Sequence, residues 1–147
     1  MLTITVDDTA FRQHIARLQE RLGDLTPVLA GIGQELETRI HNRFEIRSDP
    51  EGHPWAPWSE FTIATYPEDG NHRLLDRYRD MRDHLNWEAD ATSVRIGFVE
   101  PYATYHEFGT KKMPRRGLLF AIPETGQLAP DDERAVLEIL EDLLDLA

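Results

Sequence analysis

Apolar positions change their spacing several times along the chain, and each change marks a new element. Between Met1 and Val6, Leu2, Ile4 and Val6 alternate with Thr3 and Thr5, the period of a short strand. From Asp8 the spacing lengthens: Phe11, Ile15, Leu18 and Leu22 form one stripe, with Arg12, Gln19 and Glu20 turned to water. Gly23 is placed to end that helix. Thr26-Pro27 opens a second one, since threonine can cap free amides and proline suits a first turn. Val28, Leu29, Ile32, Leu36, Ile40 and Phe44 supply its buried stripe, Gly31 and Gly33 weaken it, and Ser48-Asp49-Pro50 closes it. The two helices read as an antiparallel hairpin.

Residues 47–72 carry Pro50, Pro54, Pro57 and Pro67 and no sustained period. They read as one long loop inside a domain, a kind of segment that tends to be functional or mobile. Within it, prolines hold Pro54-Trp55-Ala56-Pro57-Trp58 extended. Leu74, Leu75, Tyr78, Met81 and Leu85 return to helical spacing, though this run could also begin as a strand. Leu85, Trp87 and Ala89 then alternate with polar residues. A turn at Asp90-Ala91-Thr92-Ser93 leads to Val94, Ile96 and Phe98, a β-hairpin pattern. Pro101 starts a short helix with Tyr102, Tyr105 and Phe108, ended by Gly109; Leu118, Phe120 and Ile122 suggest another strand. Pro130, followed by Asp131, Asp132 and Glu133, begins a last amphipathic helix through Val136, Leu140 and Leu144. The sum is one α+β domain over residues 1–147. An N-terminal helical hairpin and a C-terminal helix pack on a small, mostly antiparallel sheet.

Charge narrows the function. The net charge of -11 repels phosphate backbones and anionic membranes at long range. The densest basic stretch is Lys111, Lys112, Arg115 and Arg116, with Glu107 nearby. Acids gather instead from Asp131 to Ala147, a face that is either simply solvated or a docking surface for a basic partner or a DNA passage. Without cysteine there is no disulfide and no thiolate metal site. No apolar run has membrane-spanning length and no signal-peptide pattern follows Met1, so folding in a cytoplasm is expected.

Catalytic templates fail one by one. His106-Glu107 begins a zincin motif, but Thr110 stands where the second histidine belongs and Gly109 interrupts the helix. His14, His41, His53, His72 and His84 show no ligand spacing, and there is no phosphate-binding glycine loop or nucleophile elbow. No cofactor is expected. Two alternatives stay open: a small metal-dependent hydrolase using His106 and Glu107, and a nucleic-acid-binding module using Lys111 to Arg116. Trp55 and Trp58 either fold over the core or anchor a subunit interface, a place where tryptophan is enriched.

Several segments taken in order resemble one family. They are Phe44, then Gly52-His53-Pro54-Trp55-Ala56-Pro57-Trp58, then Leu74-Leu75 leading to Met81 and Leu85, then Val94-Arg95-Ile96-Gly97. Tyr102-Ala103-Thr104-Tyr105-His106-Glu107-Phe108-Gly109 follows, with Met113-Pro114-Arg115-Arg116 close behind. The order, over roughly residues 26–146, is similar to the tailed-phage virion morphogenesis, or tail completion, proteins. That family usually has glycine where this chain has Tyr78-Arg79, and proline where it has Gly117. The resemblance implies a non-enzymatic role in tail completion or head–tail joining. Its partners would be other tail or connector proteins and further copies of itself, in a ring among other arrangements. It implies no membrane and no sequence-specific nucleic acid, with assembly in the bacterial host cytoplasm and a final place in the virion tail. Interface candidates are Trp55, Trp58, Tyr105, His106, Phe108, Arg115 and Arg116, with Glu138, Glu141 and Asp142 on the acidic helix.

Overall fold

The computed structural model describes residues 2–5 and 9–146. Met1, Val6, Asp8 and Ala147, which the hydropathy pattern places at the ends of elements, lie outside the described residues. Among the described residues the elements run in order β1 (Leu2–Thr5), α1 (Thr9–Leu22), α2 (Thr26–Ile46), α3 (Glu60–Thr65), α4 (Asp80–Asp83), β2 (Leu85–Ala89), β3 (Val94–Phe98), α5 (Ala103–Phe108) and α6 (Pro130–Leu146). The sheet has the order β1-β3-β2, antiparallel throughout, so β3 is central. Its register sets Phe98 opposite both Leu2 and Leu85, and Ile96 opposite both Ile4 and Trp87. The architecture is α+β, as the alternation of periods predicts.

Helix α2 is the backbone of the core. Leu29, Ile32, Leu36, Ile40 and Phe44 fall on one stripe, are essentially inaccessible, and lie across β2 and β3. Phe44 meets Phe98 and Trp55 edge-on, with ring centroids 6.3 and 6.0 Å apart. Helix α6 contacts α2 and, more extensively, α1. The two N-terminal helices are joined by a short turn at Gly23, Asp24 and Leu25, but α1 packs chiefly on α6.

Local chemistry corrects four expectations. Thr26 does not cap α2. It sits inside the first turn, and the Asp24 carboxylate accepts from its hydroxyl (2.6 Å) and its amide (2.9 Å). Those bonds hold the Asp24 carboxyl below its ordinary range. The 47–72 loop contains a helix, α3, whose amide at Thr62 is capped by Ser59. The Leu74–Leu85 run is helical only over α4, because Leu75 (φ 59°) and Arg79 (φ 66°) take left-handed backbone that breaks a continuous helix. Finally, Leu118–Ile122 forms no strand: Leu118, Leu119 and Phe120 are all buried in succession and Ile122 is exposed.

Packing explains one of the two glycines of α2, Gly33. A Cβ there would stand 2.7 Å from the Trp87 ring, which rests on α2 with its indole N–H donating to Glu37 (2.7 Å). At Gly31 nothing lies within 4 Å. Gly31→Ala should therefore stabilise the fold by about 0.5–1 kcal/mol through helix propensity. Gly33→Ala should lose roughly 1–2 kcal/mol, overpacking outweighing that gain, and should shift Trp87 fluorescence. Urea unfolding measures both, and similar behaviour of the two variants would mean that Trp87 does not press on α2.

Candidate interaction site

The sequence candidates converge on α5 and the segment that follows it. Gly109 (φ 74°) turns the chain sharply where a Cβ would crowd the Arg115 amide at 3.0 Å. The chain then returns, the Arg116 amide bonding to the His106 carbonyl at 2.8 Å. This brings residues 115–120 alongside Glu107, whose side chain is 1% exposed. The Glu107 carboxylate accepts from the amides of Leu118 (2.7 Å), Leu119 (3.1 Å) and Phe120 (2.8 Å). These amides get no sheet partner and need none, which is why the segment is not a strand despite its hydrophobicity. On the other side, Arg43 of α2 donates to the Leu118 carbonyl (2.6 Å) and to the buried carboxylate of Asp132 on α6. Arg115 donates to the carbonyls of Glu107 (2.7 Å) and Phe120.

The candidate residues sort by what this bracing leaves free. Trp55, expected as a core or interface residue, is in the core; its indole N–H donates to the Gly117 carbonyl at 2.9 Å, so it is not presented to a partner. Arg115, expected to grip an acidic neighbour, is bound within its own chain. Arg116 is buried and donates to the Ala56 (2.8 Å) and Pro57 (3.0 Å) carbonyls, tying the Trp55 loop down. Trp58 is half-buried and stacks on Tyr66 with centroids 4.4 Å apart. Tyr105 and Phe108, with Tyr102, form an exposed aromatic face on α5, while Ala103 and Glu107 form its buried face. Glu138, Glu141 and Asp142 are exposed on α6, with Glu141 3.6 Å from His14. Asp132, counted among the solvated acids, is 1% exposed and belongs to the brace.

The residues of both alternatives are largely engaged within the chain. The Glu107 carboxylate accepts from three backbone amides, which commits it to bracing the fold. Among the described residues no cluster of three or more His, Cys, Asp or Glu could hold a metal ion. Of the four basic residues only Lys111 and Lys112 face solvent, on the Thr110–Met113 turn.

Beside α5, Trp58, Tyr66, Asp76, Tyr102, His106 and Arg116 line a cavity of about 320 Å³. Burial, aided by the Arg116 charge, pushes the His106 imidazole down to about 4. Spacing could not reveal this gathering. Asp76 and Tyr66 escaped notice because each sits in a stretch whose fold is set by turns.

Fold and site together define a small α+β protein whose charged motif residues brace its own backbone while aromatic ones face outward. The chain belongs to the phage virion morphogenesis family, whose model matches residues 6–145. It is also similar to the Mu-like prophage FluMu G protein 2 of Haemophilus influenzae, 28% identical over 140 residues that cover 91% of each chain. No solved structure matches it. No helix among the described residues is long and apolar enough to cross a membrane.

Two outcomes follow. Glu107→Gln keeps the shape but replaces one acceptor oxygen by a donor facing backbone N–H groups. It should cost about 1–3 kcal/mol in urea unfolding, whereas a catalytic carboxylate could be neutralised without loss of stability. His106 is held neutral in the fold, so between pH 6.5 and about 4 the unfolded chain binds a proton that the native chain does not. The stability it contributes is present above pH 6.5 and falls as the pH drops through that window. Relative to wild type, His106→Gln should flatten the stability–pH curve there, and parallel curves would refute the assignment.

Proposed function

We propose that this chain is a non-enzymatic assembly protein that completes tails or joins heads to tails through protein–protein contacts. Membership in the virion morphogenesis family supports a structural role, and the similarity to a Mu-like prophage protein fits it. The observation that carries the reading is the α5 face. Tyr102, at the N-cap of α5, and Tyr105 and Phe108 within it are 41%, 58% and 42% exposed on a short element that is braced from behind. Aromatic side chains on a rigid element are the groups that contribute most to interfaces, since they bury large area at little entropic cost. The partners are other tail or connector subunits, and further copies of this chain when a ring forms on its target. Assembly takes place in the host cytoplasm, and the protein ends in the virion tail.

The test is genetic and structural. A phage or prophage whose copy of this gene is disrupted should yield unjoined heads and tails by electron microscopy, rescued by the wild-type chain. Tyr105→Ser/Phe108→Ser, checked for folding by its urea midpoint, should lower the infectious titre by roughly tenfold or more, the scale of losing interface anchors. Normal particles from the disrupted genome would end this reading.

A further inference from the structure

The residues that line the cavity beside α5 include polar groups that the fold leaves without a full set of partners. Asp76 is 2% exposed, yet its Oδ1 has no hydrogen-bond partner among the described residues; its other oxygen is 3.8 Å from Arg82. His106 Nδ1 is likewise buried without a partner. Arg116, 7% exposed, reaches only the carbonyls of Ala56 and Pro57 and has no carboxylate partner among the described residues. The other arginines of the lining differ: Arg73 pairs with Glu45 and Arg77 with Asp69.

A native fold rarely leaves a buried acceptor without a donor, or a buried cation without a counter-charge. The two demands are distinct. Arg116 calls for an anion, and a planar guanidinium favours a carboxylate. Asp76 Oδ1 calls for an N–H or O–H donor. A free carboxylate would answer the first and leave the second. A polypeptide carrying an acidic side chain answers both, because its own backbone amides stand next to the carboxylate. The volume suits one or two side chains, and Trp58, Tyr66 and Tyr102 offer the apolar wall such a segment would lie against.

We propose that this cavity is a receptor for a glutamate- or aspartate-bearing segment of a partner polypeptide, with Arg116 holding the carboxylate, Asp76 accepting a backbone N–H, and His106 completing the polar lining. The site adjoins the α5 aromatic face, as Tyr102 belongs to both and meets the His106 ring edge-on at 6.3 Å. The inference rests on the reading that this protein works by protein contacts, and it supplies the chemistry of the contact.

The test uses the intact chain labelled with ¹⁵N at histidine. Acetyl-Ala-Glu-Ala-amide should shift the His106 ring resonances saturably, and acetyl-Ala-Gln-Ala-amide should bind roughly tenfold more weakly, the scale of one charge-assisted hydrogen bond. Sodium acetate should bind more weakly than the Glu peptide. Asp76→Asn should weaken the peptide by roughly fivefold and leave acetate unchanged. Arg116→Lys should abolish both. Since Arg116 also secures the Trp55 loop, the wild-type peptide comparison and Asp76→Asn decide the question if that variant unfolds. Equal binding of the Glu and Gln peptides, acetate as tight as the peptide, or an unmoved His106 ring would overturn the proposal. None of these results touches the particle-assembly outcome, so the site can fail while the assembly role stands.

Discussion

The Glu107 carboxylate sits at the centre of the molecule's organisation. A strand in this position would satisfy the amides of residues 118–120 by pairing with a neighbour; here a single side chain accepts from all three. The carbonyl side of the same segment is taken up by Arg43, whose charge is balanced by Asp132. The two contacts nail one buried, irregular stretch between α5, α2 and α6. Buried ionised groups are tolerable only when their hydrogen bonds are complete, and removing one member of such a pair typically costs about 3–5 kcal/mol. The arrangement thus trades the simplicity of a fourth strand for a rigid corner.

That corner decides which motif residues are available to partners. Arg115 and Trp55 spend their donors inside it, and the exposed face of α5 with the cavity beside it is what remains. A helix of this length would not persist alone in water. Held at Ala103 and Glu107, it presents Tyr102, Tyr105 and Phe108 without having to be ordered on binding, which lowers the entropic cost of association.

The regular elements were legible because their periods were clean. The α2 stripe, the β2–β3 hairpin and the amphipathic α6 appear where the spacing puts them. Sequence reading failed where side chains, not periodicity, set the backbone. The Leu118–Ile122 alternation suggested a strand, since nothing local says that a glutamate eleven or more residues earlier will take its amides. Glu107 itself looked like half of a metal motif, and Asp132 like one more solvated acid. Arg79 is a different case. Its backbone is left-handed, a conformation that glycine adopts freely and arginine only with support. An arginine gives no sign of that constraint in the sequence. Of the candidate site, the aromatic residues of α5 were visible as residues, but the cavity was not, because Asp76 and Tyr66 enter it from a segment without a period.

The distribution of charge bears on how such a surface can act. At -11 overall, two copies of this chain repel at long range, and so do this chain and any acidic partner. At physiological ionic strength that repulsion is damped within about 8 Å, so it slows chance encounters more than it weakens a formed contact. Close in, the determinants are local: an aromatic face on α5, two exposed lysines on the adjoining turn, and a buried arginine without a counter-charge among the described residues. The exposed acids of α6 lie on a different element, one that packs on α1 and α2. A surface polarised in this way discriminates by placement. Acidic and apolar groups brought to α5 meet complementary chemistry, whereas the exposed face of α6 presents carboxylates. Selectivity of that kind requires the α5 corner to keep one shape before any partner arrives, which is what the capture of three backbone amides by one carboxylate secures.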